Sequence, residues 1–409
     1  MDDRPRNLRT MLAEAKDLSE LMVDLAYGAV FFDDVDMAEE VVELEDDMNE
    51  LAQDMRRICI LAVRQPREAE GMSSVLRVVT AIERIGNDAV SIARIVTHKV
   101  GIPPQLLADL AEADEISHRV TVVAGSAMHN QTLATLQLPV ATGTRVMAIK
   151  RNQIWITDIG GATVVGADDV LLVRGGPDGI APVRSMAGAP VWEPAVSEDV
   201  WLSDLDRSVD VLVEMKDLSE TAVGLAYSAM VMNDLRLAAE VRQLGARLNE
   251  MNDKLELWVL RAAKENIDPS PLRGLLQLAH AATDIAAEAC EMVWIVEQGD
   301  EVHPILQIAL GESDEVVMEI EVTANSRACN ATLGDLRLNL EPGFIVLAIR
   351  RTGRYIYRPT GATMLVDGDV VIASGPEEGR AHLAKIFGWR MIDSDEPGIF
   401  ELELEVELS

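Results

Sequence analysis

The chain is short of aromatic residues: Phe, Trp and Tyr make up only 4% of it. Its cores must be filled by Ala, Val, Leu, Ile and Met, which favours helices and small sheets packed through aliphatic side chains. Lysine is also scarce, with seven of the 36 basic residues; the others are arginine. Against 69 acidic residues this leaves a net charge of -33. This argues against DNA or RNA as a partner, because binding a phosphate backbone calls for clustered Lys and Arg. An acidic, lysine-poor surface around an ordinary 48% hydrophobic content fits a protein of concentrated salt, where self-repulsion is screened. An acidic protein of ordinary salt is the alternative.

Cysteine is nearly absent. Cys59, Cys290 and Cys329 are far apart and form no C-x-x-C, so they are expected as small buried hydrophobes in a reducing compartment. No apolar run approaches the ~20 residues of a membrane span. The N-terminal Met1-Asp2-Asp3-Arg4 lacks a signal peptide's apolar segment, so a soluble, cytoplasmic protein is expected. Phosphate-loop, dinucleotide-binding, H-E-x-x-H and G-x-S-x-G motifs are all missing, and the six histidines are scattered. Neither an enzyme nor a cofactor is expected.

What is present is a repeat. Lys16-Asp17-Leu18-Ser19-Glu20 and Leu25-Ala26-Tyr27 recur as Lys216-Asp217-Leu218-Ser219-Glu220 and Leu225-Ala226-Tyr227. The offset of 200 persists downstream, where Gly161-Ala162-Thr163 matches Gly361-Ala362-Thr363 and Asp169-Val170 matches Asp369-Val370. The chain is a tandem duplication.

Each copy opens with apolar stripes at spacings of three and four, which predict helices over 6–33, 37–63 and 69–97, then over 201–234, 235–265 and 271–298. Three long striped helices with short connections bury their stripes against each other, as an antiparallel bundle. The period then shortens. Strands are expected over 120–123, 144–150, 153–157 and 170–173, with a short helix at 132–136. The second copy repeats them over 316–322, 344–350, 354–357 and 369–373. Pro182, Pro190 and Pro194, with Gly188, mark 181–200 as an extended linker. The alternating acidic tail, 391–409, reads as an added edge strand or as disorder.

Two constellations are candidates for chemistry. Glu39, Glu43, Asp46, Asp47 and Glu50 on one helix, with Glu83 and Asp88 on the next, have the spacing to share a metal ion or to form a solvated acidic face. The second copy has Ala239, Gln243, Ala246 and Arg247 in the first four places, which favours the solvated face. In the second α+β unit, Arg327, Arg350, Arg351, Arg354 and Arg358 gather in a chain that otherwise avoids positive charge. Arginines around a small sheet suit a phosphate or nucleotide, or they pair with the abundant acids.

These residues carry a resemblance. Ala81-Ile82-Glu83-Arg84-Ile85-Gly86-Asn87-Asp88-Ala89, followed by Ser91-Ile92-Ala93, resembles the third helix of PhoU-like bundles. Thr332-Leu333-Gly334-Asp335-Leu336, Gly343-Phe344-Ile345-Val346-Leu347-Ala348-Ile349-Arg350-Arg351, Pro359 and Asp367-Gly368-Asp369-Val370 resemble the TrkA C-terminal domain, or RCK-C. The first copy keeps Gly143, Ile149, Asp169 and Gly175 but has Ile159 at the proline position. The resemblance covers nearly the whole chain, as a tandemly duplicated PhoU–TrkA-C protein of haloarchaeal type.

It implies an α+β fold of two PhoU-like antiparallel helical bundles alternating with two small TrkA-C α/β sandwich domains. The expected units are 1–112, 113–180, a linker at 181–200, 201–310, 311–390 and the tail. It also implies a regulatory subunit for a membrane cation transporter or channel, of potassium or of a divalent ion such as magnesium. Such a subunit would pair its TrkA-C domains as a homodimer or an internal pseudo-dimer, and would bind a small effector such as cyclic di-AMP or another nucleotide. Arg327, Asn330, Arg350 and Arg351 are the expected effector-binding residues. The alternative implied function is a phosphate-signalling adaptor acting through protein contacts. Asn87 departs from the acidic residue used by bundles that hold metal clusters, and His280-Ala281-Ala282-Thr283 departs further, so no metal site is expected.

Overall fold

A computed structural model describes residues 7–103, 116–157, 159–191, 204–265, 269–299, 302–311, 313, 315–393 and 400–404. The first bundle comprises α1 (Leu8–Phe32), α2 (Val35–Ala62) and α3 (Pro66–Thr97). Asn7 caps α1 by accepting from the Thr10 N–H, and Asp34 caps α2 by accepting from the Met37 N–H. Gln65-Pro66 is a break that becomes a start, since proline's missing N–H costs nothing in a first helical turn. The second bundle repeats this with α7 (Asp204–Met232), α8 (Leu235–Ala262) and α9 (Pro269–Glu297). The expected stripes are the buried ones, among them Met11, Met22, Val41, Met48, Ile82 and Ile92.

The first α+β unit contains β1 (Ile116–Thr121), α4 (Leu133–Leu136), α5 (Leu138–Thr142), β2 (Thr144–Arg151), β3 (Ile154–Ile156), β4 (Val170–Gly175) and α6 (Pro177–Ala187). Its sheet is antiparallel in the order β1-β4-β2-β3. The second unit has a lead-in helix, α10 (Pro304–Gly311), then β5 (Glu315–Glu321), α11 (Leu333–Leu336), β6 (Ile345–Arg351), β7 (Arg354–Tyr357), β8 (Val370–Pro376) and α12 (Arg380–Ile386). The order β5-β8-β6-β7 is the same. In both units one sheet face packs on its own small core, which includes Val120, Leu171 and Val183 in the first and Val316, Phe344 and Phe387 in the second. From the other face Ala148, Leu172, Leu347 and Ile372 join the core of the bundles.

Two expectations need correction. The linker does not begin at 181: residues 177–187 are α6, with Pro177 in its first turn, Ile180, Val183 and Ala187 buried, and Gly188 closing it at φ 69°. Burial of that apolar face outweighs the loss of one backbone donor at Pro182. The tail strand β10 (Phe400–Leu404) does not extend the second sheet; it pairs with β9 (Trp389–Asp393) as a separate two-stranded ribbon. Of the remaining linker, 192–200 lies outside the described residues.

Candidate functional site at the internal pseudo-twofold

The two copies face each other about an approximate twofold axis. Helices α3 and α9 run antiparallel: Arg77 pairs with Glu291 at 2.6 Å, Arg84 with Glu288 at 3.3 Å, and the Gln277 side chain donates to the Ser91 carbonyl at 2.7 Å. This register puts Ile85 and Ile285 at the crossing. The α+β units meet reciprocally as well. A Cβ at Gly143 would stand 1.8 Å from the Asn339 carbonyl oxygen, and one at Gly343 would stand 2.3 Å from that of Pro139. The two α+β units of this one chain are therefore in backbone contact.

The repeated Lys-Asp-Leu-Ser-Glu stretch lies on this axis. Lys16 bridges to Glu20 one turn on, at 2.8 Å, and donates to the Glu315 carbonyl of the other copy at 3.2 Å. Lys216 bridges to Glu220 at 2.8 Å. Each ammonium also sits over the other copy's tyrosine: Lys16 over Tyr227 at 5.3 Å, Lys216 over Tyr27 at 5.5 Å. Arg174 extends the network from β4 to Asp24 at 2.7 Å and Glu220 at 3.5 Å.

The two halves are electrostatically unequal. Burial pushes the Glu20 carboxyl above its ordinary value; Lys16 offsets part of this, and Glu315 adds to it. Burial acts on Glu220 in the same direction, but Lys216 and Arg174 together outweigh it and leave that carboxyl below its ordinary value. Burial, joined by Glu20 for Tyr227 and by Glu220 for Tyr27, keeps both phenols protonated. A cavity of about 150 Å³ opens beside this cluster, and a second of about 50 Å³ lies between the paired α+β units.

The expected effector residues are placed differently. Arg350 and Arg351 are neighbours on β6, so their side chains leave opposite faces. Arg350 pairs with Glu319. Arg351 makes a two-pronged bridge to the buried Asp369 at 2.7 and 2.6 Å, and donates to the Met364 carbonyl at 2.7 Å. Arg151 and Asp169 do the same at 2.8 and 2.6 Å in the first copy, which makes this a structural feature of each unit. Arg327 is exposed, and Asn330 sits in a tight turn at φ 62°. The carboxylates Glu39, Glu43, Asp46, Asp47 and Glu50 form an exposed face, and Glu83 pairs with Arg56. Sequence reasoning missed the axial cluster, although word-for-word recurrence of a charged stretch was the signal for it.

Family models agree with this division. The PhoU domain matches residues 12–96 and 212–293, and the TrkA-C domain matches residues 118–188 and 317–388. The chain is built of PhoU and TrkA-C domains. Its two PhoU and two TrkA-C domains alternate, and the TrkA-C match to 188 agrees with α6 belonging to that unit. An uncharacterized transporter of Synechocystis is 38% identical over 69 residues, which is 17% of this chain and 11% of that protein. Among solved structures, PhoU from Pseudomonas aeruginosa is 16% identical with a TM-score of 0.39, covering 72% of this chain and 96% of that one. PhoU from Streptococcus pneumoniae, a phosphate transport system regulatory protein, is 12% identical with a TM-score of 0.37, covering 72% and 95%. The GsuK RCK domain is 14% identical with a TM-score of 0.18, covering 70% of each chain. The domain types mark a transport-associated regulatory protein. Among the described residues, no helix is long and apolar enough to cross a membrane.

Proposed function

We propose that this chain is a cytoplasmic regulatory subunit of a membrane cation transporter, for potassium or a divalent ion. A nucleotide effector of the cyclic di-AMP kind would bind its TrkA-C pair. The observation that carries this reading is mechanical. The α1 lysine donates to the start of β5 in the other copy, and Arg174 of β4 bridges to carboxylates on both first bundle helices. A change in TrkA-C pairing must therefore move the PhoU bundles.

The space between the pair holds about 50 Å³, against the roughly 300–1,000 Å³ of sites that take drug-sized ligands. A dinucleotide would bind by selecting a more open arrangement, and its differential affinity for that arrangement would be the signal. Arg327 is the expected guanidinium that stands exposed for a phosphate. The test is ion flux in cells lacking the chain. Altered potassium or magnesium uptake, restored by the parent chain and not by Arg327→Ala, is expected. A defect confined to phosphate uptake would overturn the reading in favour of the signalling adaptor.

A further inference from the structure

The axial cavity differs from its own symmetry mate. On the second-copy side its wall is formed by Gly224, Val317, Ile345, Leu347 and Ser374. The first-copy counterparts, 200 residues earlier, are Asp24, Ser117, Arg145, Met147 and Arg174. There the Asp24–Arg174 ion pair at 2.7 Å narrows the corresponding space, where a cavity of about 50 Å³ is left. Gly224 and Ser374 together remove that pair, and Val317 and Ile345 replace polar side chains by apolar ones. One half of the duplicated axis is thus narrowed by charge and the other is wider, with an apolar wall.

The wider half also has its own polar features. Its lining carries four carboxylates, Glu20, Asp217, Glu220 and Glu315, against two cations, Lys16 and Arg174, with Lys216 bridging Glu220 and Asp217 from outside the lining. Tyr227, only 2% exposed, lines it; its hydroxyl makes no hydrogen bond of ordinary geometry, with Ser19 its polar neighbour, and the Tyr27 hydroxyl of the other half is likewise unpaired. A buried hydroxyl left so costs about 1–3 kcal/mol, which a ligand can recover. Anions are disfavoured by the carboxylate excess. A bare metal ion would leave the walls of Val23, Val223, Ile285 and Leu347 unused. The volume, about 150 Å³, corresponds to about five waters of liquid, far less than a nucleotide needs.

We propose that this cavity is a binding site, one per chain, for a small primary alkylammonium compound. Its N–H groups would donate to the carboxylates and to the Tyr227 hydroxyl oxygen, with the alkyl body against the apolar wall. Lys16 already covers the Tyr227 ring, so recognition rests on these hydrogen bonds and on the apolar wall. Binding itself does not depend on the transporter reading; only its consequence for ion flux rests on that.

The test is isothermal titration calorimetry on the full chain at fixed chloride, with propylammonium, β-alanine and propionate as probes. Saturable binding of propylammonium near one per chain is expected, with none for propionate. Binding of β-alanine alone would keep the ammonium assignment and add a carboxylate beside Arg174. Tyr227→Phe keeps the volume and should weaken binding about tenfold, as for a lost buried hydrogen bond. Gly224→Asp with Ser374→Arg transplants the first copy's ion pair and should abolish it. Propionate binding alone, no binding of either ammonium compound, or binding unchanged in Tyr227→Phe would overturn the proposal.

Discussion

The Lys16 ammonium lies 5.3 Å from the centre of the Tyr227 ring, a residue more than 200 positions away in the other copy. Lys16 is 3% exposed, yet it stays charged: burial works against the charge, and the Glu20, Glu315 and Asp17 carboxylates outweigh it. Removing one partner of such a buried pair costs far more than the pair is worth, because the other charge is left alone. Lys16→Met should therefore destabilise the chain by about 3–5 kcal/mol, read by urea unfolding. Adding Glu20→Leu should return part of that loss. Lys216→Met should cost a similar amount if the axis is the structural centre of the chain.

A second consequence of the twofold is a like-charge contact. The α3–α9 register that pairs Arg84 with Glu288 brings Asp88 opposite Asp284. Burial, then the Asp284 and Glu288 carboxylates, push Asp88 up to about 7, with Arg84 opposing. Between pH 4 and 7 the folded chain holds a proton there that the unfolded chain has released. Stability from this site is therefore greatest at low pH and falls as pH rises towards 7, after which it is flat. Asp88→Asn should raise stability by about 1–3 kcal/mol at pH 8 and by little at pH 4. Melting curves at the two values check this; an equal gain at both would show that Asp88 does not titrate in this window.

Much of the architecture is legible in the sequence because apolar periodicity is a local property. The stripes predict α1 over 6–33 against an observed Leu8–Phe32, and α8 over 235–265 against Leu235–Ala262. Helix α6 is hidden because Pro177 and Pro182 read as spacer residues, and only the buried Ile180, Val183 and Ala187 show otherwise. The site is harder to read for a different reason. Lys16 and Glu20 look like a solvated helix pair until α7, β5 and β4 of distant segments close over them. Arg350 and Arg351 stand out as arginines in an acidic chain, but their partners, Glu319 and Asp369, are 31 and 18 residues away. The meaning of Gly224 and Ser374 appears only once Asp24 and Arg174 are seen to touch.

Arg351 separates a structural role from a binding role. Asp369 is 1% exposed, and its carboxylate accepts from Arg351 and from the Val366 N–H at 2.8 Å. In the equivalent first-copy pair, burial works to raise Asp169, while Arg151 and the Gly166 N–H outweigh it and hold the carboxyl below its ordinary value. A carboxylate of that kind contributes stability above its ordinary value, lost as pH falls through its depressed one. Arg351→Ala and Arg151→Ala should each cost about 2–4 kcal/mol at neutral pH, in unfolding experiments without any ligand. Arg327→Ala, by contrast, should leave unliganded stability unchanged, since that side chain is exposed.

The sharpest structural test of internal pairing is at two glycines. Gly143 has φ 64° and Gly343 has φ 87°, in the left-handed region that disfavours a side chain. That alone costs roughly 1–2 kcal/mol on substitution by alanine. Gly125 has φ 81° with open space around it, so Gly125→Ala measures this backbone cost by itself. At Gly143 and Gly343 an added Cβ also collides with a carbonyl of the other TrkA-C unit, at 1.8 and 2.3 Å. Those contacts are backbone, which cannot rotate away, so the two units must separate. Gly143→Ala and Gly343→Ala should therefore lose at least about 2 kcal/mol more than Gly125→Ala and expose 137–144 and 337–344 to protease. Equal losses at all three positions would mean that the TrkA-C units are not held together within one chain.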